Sequence, residues 1–340
     1  MSRYLVIGSG LIGRLTAWRL IQAGHQVSIL SKDDRQGSDS AGYVAASMVA
    51  PATEAISAEP MVKTVGLRSY ELWPEWLKEL AEPVFYQNSG TLVVAHNGDQ
   101  AEMARFQRRA SHVLEDSDFR LLDRQALADR EPELADNFGQ ALLFEQESCL
   151  DNRQFYQRLG ELLAQECDWQ QTEEISELNQ AELERVCQEY LGVKASVFDS
   201  VLDCRGNGGK ANLSNLRSVR GEVIRVYAPE VNFTHAVRLM HPRYPFYLAP
   251  RPNHEYVLGA TVIESDDRSA VTVRSGLEMT AHCRPGLPDN MPTIKRTDWG
   301  YIVNGFYRHG YLFGPAVVAD LTALLAGKTE QVQFGALYDV

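Results

Sequence analysis

The feature that most limits what this chain can fold into lies in its first thirty-two residues. Tyr4-Leu5-Val6-Ile7 is a short apolar run, and Gly8-Ser9-Gly10-Leu11-Ile12-Gly13 follows it at once. A helical pattern then runs from Leu11 through Leu15, Trp18 and Leu20 to Gly24, and Val27-Ser28-Ile29-Leu30 reads as a second strand. Each glycine has a mechanical duty in such a unit. Gly8 permits the tight turn off the strand, Gly10 lets backbone approach a pyrophosphate, and Gly13 lets helix and strand pack closely. The helix N-terminus adds unpaired N–H groups and a partial positive charge. A glycine-rich turn alone is weak evidence, but framed by strand, helix and strand it marks a dinucleotide site.

The end of the second strand departs from this pattern. An Asp or Glu there ordinarily accepts hydrogen bonds from the adenosine ribose, whereas this chain has Ser31-Lys32-Asp33-Asp34. A hydroxyl accepts one hydrogen bond without the charge-assisted strength of a carboxylate. The substitution disfavours a loosely exchanging NAD and suits a cofactor held by many other contacts.

With 340 residues the chain can hold two domains around a substantial core. Its net charge of −12 argues against nucleic acid or an anionic membrane surface as a main partner. No apolar run approaches the ~20 residues needed to span a bilayer. The N-terminal apolar residues belong to the first strand and not to a secretory signal, so a cytoplasmic location is expected. Cysteines 149, 167, 187, 204 and 283 are scattered, without C-x-x-C spacing, and read as reduced structural thiols. Histidines 235, 241, 254, 282 and 309 lack ligand spacing, so no metal is expected.

Along the rest of the chain, residues 37–51 form a long run of small side chains, read as a loop that lies flat against a ligand in preference to a plain surface loop. Helices are predicted over Val62–Leu80, with Trp73 and Trp76 in the core, and over Gln100–Leu114, where Arg105, Arg108 and Arg109 read as a solvated face. Asp123 and Asp151 are placed to cap the helices that follow them. The strand pattern 197–204 runs into Arg205-Gly206-Asn207-Gly208-Gly209, a second glycine-rich exit where backbone can meet a cofactor. Strand patterns cluster between about 216 and 282, an antiparallel sheet distinct from the nucleotide unit. A final amphipathic helix is predicted over Ala316–Ala326, ended by Gly327.

Taken in order, the segments Val6–Gly13, the small-residue run to Pro51, Leu202–Gly208, Arg220-Gly221-Glu222, Tyr247–Arg251, Gly259-Ala260-Thr261, Arg284-Pro285-Gly286 through Pro292 and Gly305–Gly310 carry a family resemblance. The chain resembles the flavin-dependent amino-acid and amine oxidases of the D-amino-acid oxidase, sarcosine oxidase and glycine oxidase type, most of all the glycine oxidase branch. The resemblance implies an α/β (α+β overall) flavoprotein with a Rossmann-like FAD-binding domain and an antiparallel-sheet substrate domain. The FAD domain would comprise 1–75, 141–215 and 284–340, and the substrate domain 76–140 and 216–283.

By the same resemblance, non-covalent FAD would contact Gly8, Gly10, Leu11, Ile12, Gly13, Ser31, Lys32, Ser40, Ala41, Gly42, Ala46, Ser47, Met48, Glu174 and Gly206. Its flavin end would meet Phe306, Tyr307, Arg308, His309, Gly310, Tyr311 and Leu312. Arg284 would pair the substrate carboxylate, Tyr247 would add a hydrogen bond, and Arg308 would stand beside flavin and substrate. A guanidinium fork matches a carboxylate bidentately and keeps its charge when buried. Hydride transfer then needs alignment more than an acid or base, so no catalytic acid–base residue is expected. The implied reaction is oxidation of a glycine- or sarcosine-like amine with dioxygen as acceptor. The implied partners are a small amino acid or amine and O2 or another electron acceptor. The alternatives are a dehydrogenase that uses a quinone or protein acceptor, and a flavin-binding subunit that acts with a partner chain; homo-oligomerisation is left open.

The chain also departs from the family pattern. Phe306 stands where relatives often carry His, Arg205 sits in a strand exit normally lined by small residues, and the stretches 174–196 and 269–284 are short.

Overall fold

The opening apolar run becomes the strand Arg3–Ile7, buried from Tyr4 onward, with Gln26–Ser31 parallel to it on one side and Ser200–Asp203 on the other. A strand with parallel neighbours on both edges and helices on its faces is apolar at every position, which is why this run does not alternate. The computed structural model describes residues 1–243, 246–259, 261–267, 269 and 278–340. Its first sheet has six strands in the order Thr293–Thr297, Gly300–Asn304, Ser200–Asp203, Arg3–Ile7, Gln26–Ser31, Asp168–Gln171. The helix Leu11–Gln22 buries Leu15 and Trp18 against it. A Cβ on Gly13 would stand 1.8 Å from the carbonyl oxygen of Gly8, so only glycine lets the helix start that close to the strand.

Among the described residues the second sheet has nine strands and is antiparallel except where Ala236–Met240 runs parallel to Thr91–Ala95. The long strand Arg217–Tyr227 is its spine. It pairs with Glu278–Gly286 along one edge and with Glu255–Gly259 and Ile263–Glu264 along the other. The sheet also takes in Gln140–Phe144, so the boundaries drawn at 141 and 284 fall within its strands. Asp123 and Asp151 accept backbone N–H bonds at the starts of Arg124–Ala128 and Asn152–Glu166. Ala260 of the Gly259-Ala260-Thr261 segment, and 270–277 of the short stretch 269–284, lie outside the described residues.

The closing helix corrects the sequence reading. It spans Gly310–Leu325, six residues earlier than predicted, and is buried on most sides instead of amphipathic. Pro315 lies inside the helix and cannot donate to the carbonyl four residues back. Here that carbonyl, on Tyr311, accepts a 2.9 Å bond from the indole Nε1 of Trp73. The helix Met61–Leu77 thus supplies the donor that proline lacks, and the Trp73 and Tyr311 rings stack at 5.9 Å. Trp73→Phe keeps most of the packing but strands a buried carbonyl. We expect it to cost about 1–3 kcal/mol, read as a lower urea midpoint at unchanged m-value.

Candidate active site

Two adjoining cavities lie between the sheets. The first, about 260 Å³, follows Gly8–Ile12, Ser31–Asp33, Ser40–Gly42, Glu173–Ile175 and Arg205–Gly208, then reaches Arg284, Pro285 and Phe306–Arg308. Two long helices begin on it, Leu11–Gln22 and Gly310–Leu325, and neither has a side-chain cap. Their first N–H groups and the positive ends of their dipoles therefore face the cleft.

Ser31 explains how the missing acid is accommodated. Its hydroxyl oxygen accepts from the hydroxyl of Ser9 at 2.7 Å and from the N–H groups of Ser9 and Asp33 at 3.2 Å. The side chain braces the glycine turn against the end of the second strand. Lys32 beside it pairs with Glu174 at 3.2 Å on the rim. Arg205 turns away from the cleft: its guanidinium holds Asp203 at 2.8 Å, Asn212 at 2.7 Å and the carbonyl of Ile175. This anchors the segment that carries Glu174 and leaves only backbone facing the cavity.

Arg14 was not legible from sequence. It is fully buried, donating to the carbonyls of Ser9 at 2.9 Å and Arg35 at 2.8 Å while lying over the rings of Tyr156 and Trp169. Burial lowers its pKa, while Tyr156, Asp33 and Asp34 nearby oppose that, and the carbonyls and ring faces add negative potential around the guanidinium. Arg14 pins the loop after the second strand, which leads to Ser40. The one hint was a charged residue on a helix whose other positions are largely apolar.

The second cavity, about 540 Å³, lies over the large sheet. Arg284 crosses above Gly221 on the neighbouring strand, where a Cβ would stand 1.7 Å from its terminal nitrogen. Tyr247 lies over Gly259 in the same way, a Cβ there coming within 2.6 Å of the phenol oxygen. Glycine on two strands of one sheet thus makes room for a guanidinium and a phenol in one chamber. Arg284 has one long bond, 3.3 Å to the Thr261 carbonyl, and its other donors find no partner among the described residues. Arg284, Arg308, His282, Ala41, Ala45 and Tyr311 line both cavities and mark their junction.

Beneath that junction lies a charge cluster the sequence did not reveal. Glu54 receives Arg238 at 2.5 Å, Arg308 at 2.7 Å and the Nε2 of His309 at 3.1 Å. Burial opposes its ionisation, but these three partners outweigh burial and hold the carboxyl well below its usual range. Glu147 next to it is shifted the other way: burial raises its pKa, although Arg238 and the N–H and hydroxyl of Thr53 oppose that. Burial also lowers the pKa of His309 against the pull of Glu54. Arg308 is therefore seated by Glu54 while lining both cavities.

The comparisons with known proteins agree with this geometry. A family model described as FAD dependent oxidoreductase matches residues 3–281. A protein of Rhizobium etli assigned as the thiamine biosynthesis oxidoreductase ThiO is 35% identical over 97% of this chain and 98% of its own length. The chain belongs to the FAD-dependent oxidoreductase family. In fold it is similar to glycine oxidase from Geobacillus kaustophilus, with TM-score 0.81 and 18% identity over 100% of this chain and 99% of that one. It is likewise similar to iminodiacetate oxidase from Chelativorans sp. BNC1, with TM-score 0.80 and 19% identity over 99% of both chains.

The cofactor of this family fits the first cavity. A narrow cleft with an uncapped helix N-terminus over a glycine turn suits a diphosphate, and a second uncapped N-terminus farther along suits a ring that gains negative charge. Of the residues expected to contact FAD, Gly8, Gly10, Leu11, Ile12, Ser31, Lys32, Ser40, Ala41, Gly42, Glu174, Gly206, Phe306, Tyr307, Arg308, Gly310 and Tyr311 line this cleft. Ala46, Ser47, Met48, His309 and Leu312 line the second cavity, with Tyr247. Gly13 lines neither and serves the helix–strand contact.

The Glu54 cluster yields a pH signature. A carboxylate whose folded pKa is depressed adds stability above its unfolded value of 4.5 and loses it as pH falls through the lower folded value. Glu54→Gln removes the carboxylate that Arg238 and Arg308 share, leaving Glu147 as the acid beside Arg238, a loss of about 3–5 kcal/mol near pH 7. The gap between wild type and variant in urea unfolding should narrow only below pH 4.5.

Proposed function

We propose that the protein oxidises a small primary or secondary amino acid to its imine, with Arg284 and Tyr247 holding the substrate carboxylate. The observation that carries this reading is the pair of glycines, Gly221 and Gly259, which clear space for those two side chains beside the cofactor cleft. When bound there, FAD supplies a two-electron acceptor. The α-carbon gives up a hydride, the nitrogen gives up a proton, and water then hydrolyses the imine. Dioxygen takes the two electrons and two protons to give hydrogen peroxide.

Arg284 fixes where the α-carbon sits, so rate depends on alignment. The Arg308 guanidinium, seated by Glu54, adds positive charge where both cavities meet. Residues 1–75, 141–215 and 284–340 mainly serve the cofactor and 76–140 and 216–283 the substrate, with Gln140–Phe144 and the end of Glu278–Gly286, Arg284 included, going with the substrate sheet. The names of the relatives support the reading: glycine oxidase, iminodiacetate oxidase and a thiamine biosynthesis oxidoreductase.

Anaerobic bleaching of the bound flavin across a panel of amino acids and amines tests the proposal. Reduction by an amine carrying a carboxylate is the expected result, and a panel in which no amine reduces the flavin ends the oxidation reading. Oxygen-electrode turnover separates an oxidase from a dehydrogenase with another acceptor. Arg284→Leu should raise the apparent substrate constant far more than it weakens FAD binding; equal losses would mean the residue serves the cofactor.

Gly221→Ala tests the same clamp from beneath. Its Cβ meets the far end of a flexible side chain, so the fold should survive while the guanidinium shifts. An increase of about tenfold or more in the substrate constant, the worth of one charged hydrogen bond, is expected at unchanged FAD content.

A further inference from the structure

The second cavity is more cationic than a single substrate carboxylate requires. Its volume of about 540 Å³ is shared between substrate and the flavin end of the cofactor, whose expected contacts Ala46, Ser47, Met48, His309 and Leu312 line it, so the charge of the lining and not its size speaks to the substrate. Four arginines line it, Arg109, Arg238, Arg284 and Arg308, and among its described lining residues Glu54 is the one carboxylate. Glu54 is already committed to Arg238 and Arg308. Arg284, at the cofactor junction, accounts for one substrate carboxylate.

Arg109 remains. It lies on the helix Gln100–Val113, one turn after Phe106, and both side chains line the cavity. Positions three apart share a helix face, so Phe106 anchors that face while the exposed Arg109 stands at the opening. Arg109 has no acidic partner among the described residues. It does not line the cofactor cleft, so its charge addresses the end of a substrate remote from the reacting carbon.

We propose that the preferred substrate is an amino acid with a second carboxylate, received by Arg109 at the cavity mouth while Arg284 holds the first. This rests on the amine-oxidation reading and narrows its substrate class to dicarboxylic amines. The second carboxylate sits either on the amine substituent or on the side chain.

Anaerobic stopped-flow reduction of the FAD-loaded enzyme decides it, with iminodiacetate and the two enantiomers of aspartate set against glycine and sarcosine. Wild type should favour at least one dicarboxylate over its monocarboxylate counterpart by about tenfold in the ratio of reduction rate to dissociation constant, the worth of one charged contact. Which dicarboxylate wins tells where the second carboxylate sits. The preference should shrink toward 1 M salt, where screening acts within about 3 Å. Arg109→Gln should raise the dicarboxylate constant about tenfold more than the glycine constant, and Arg109→Lys should restore most of the difference.

A wild type that favours glycine or sarcosine, or an Arg109→Gln variant that keeps the dicarboxylate preference, overturns this proposal and leaves amine oxidation standing. Failure of every amine to reduce the flavin removes both.

Discussion

The carboxylate of Glu54 is the interaction on which the geometry between the two sheets depends. It lies on the short helix Pro51–Ala55 that ends the small-residue run. Its partners come from a strand of the large sheet, Arg238, and from the start of the closing helix, Arg308 and His309. A carboxylate so buried is costly unless it is paired from several directions. Here the pairing joins three separate parts of the chain and sets Arg308 where the two cavities meet. Trp73 secures the same helix one turn later by answering the carbonyl that Pro315 leaves open.

The two cavities divide their electrostatics by source. In the cofactor cleft two uncapped helix N-termini add positive potential from backbone, while nearby cations such as Arg205 and Lys32 are spent on local carboxylates. In the second cavity it comes from side chains. Backbone dipoles are rigid and suit a group held permanently. Guanidiniums on long side chains suit one that arrives and leaves, provided something holds them in place. Gly221 beneath Arg284 and Glu54 beside Arg308 do that work by shape and by charge respectively.

Much of the frame was readable in the chain. The opening strand, helix and second strand match their predicted ranges to within a residue or two, as does the capped helix after Asp151, and the strand cluster predicted from about 216 begins at Arg217. Periodicity, caps and glycine turns act over a few residues, which is why they can be read locally. The closing helix began earlier than read, and the Tyr311 carbonyl that its proline leaves open is answered by a tryptophan 238 residues before it. Arg109, taken as part of a solvated face, lies on a cavity wall whose other side is a sheet formed much later in the chain.

What the amino-acid order determined by itself was the glycine turn, the sheet it leads from and the kind of ligand such a turn admits. Those follow from the bulk a Cβ would add at Gly8 and Gly13, a matter of neighbouring atoms. What only the tertiary structure decided was which charges meet. Glu54 and Arg238 are 184 residues apart, and Glu54 and His309 are 255 apart. Nothing in the local pattern of either stretch names its partner. Coulombic pairing depends on distance in space and on burial, and both exist only once the sheets have closed over the cavity.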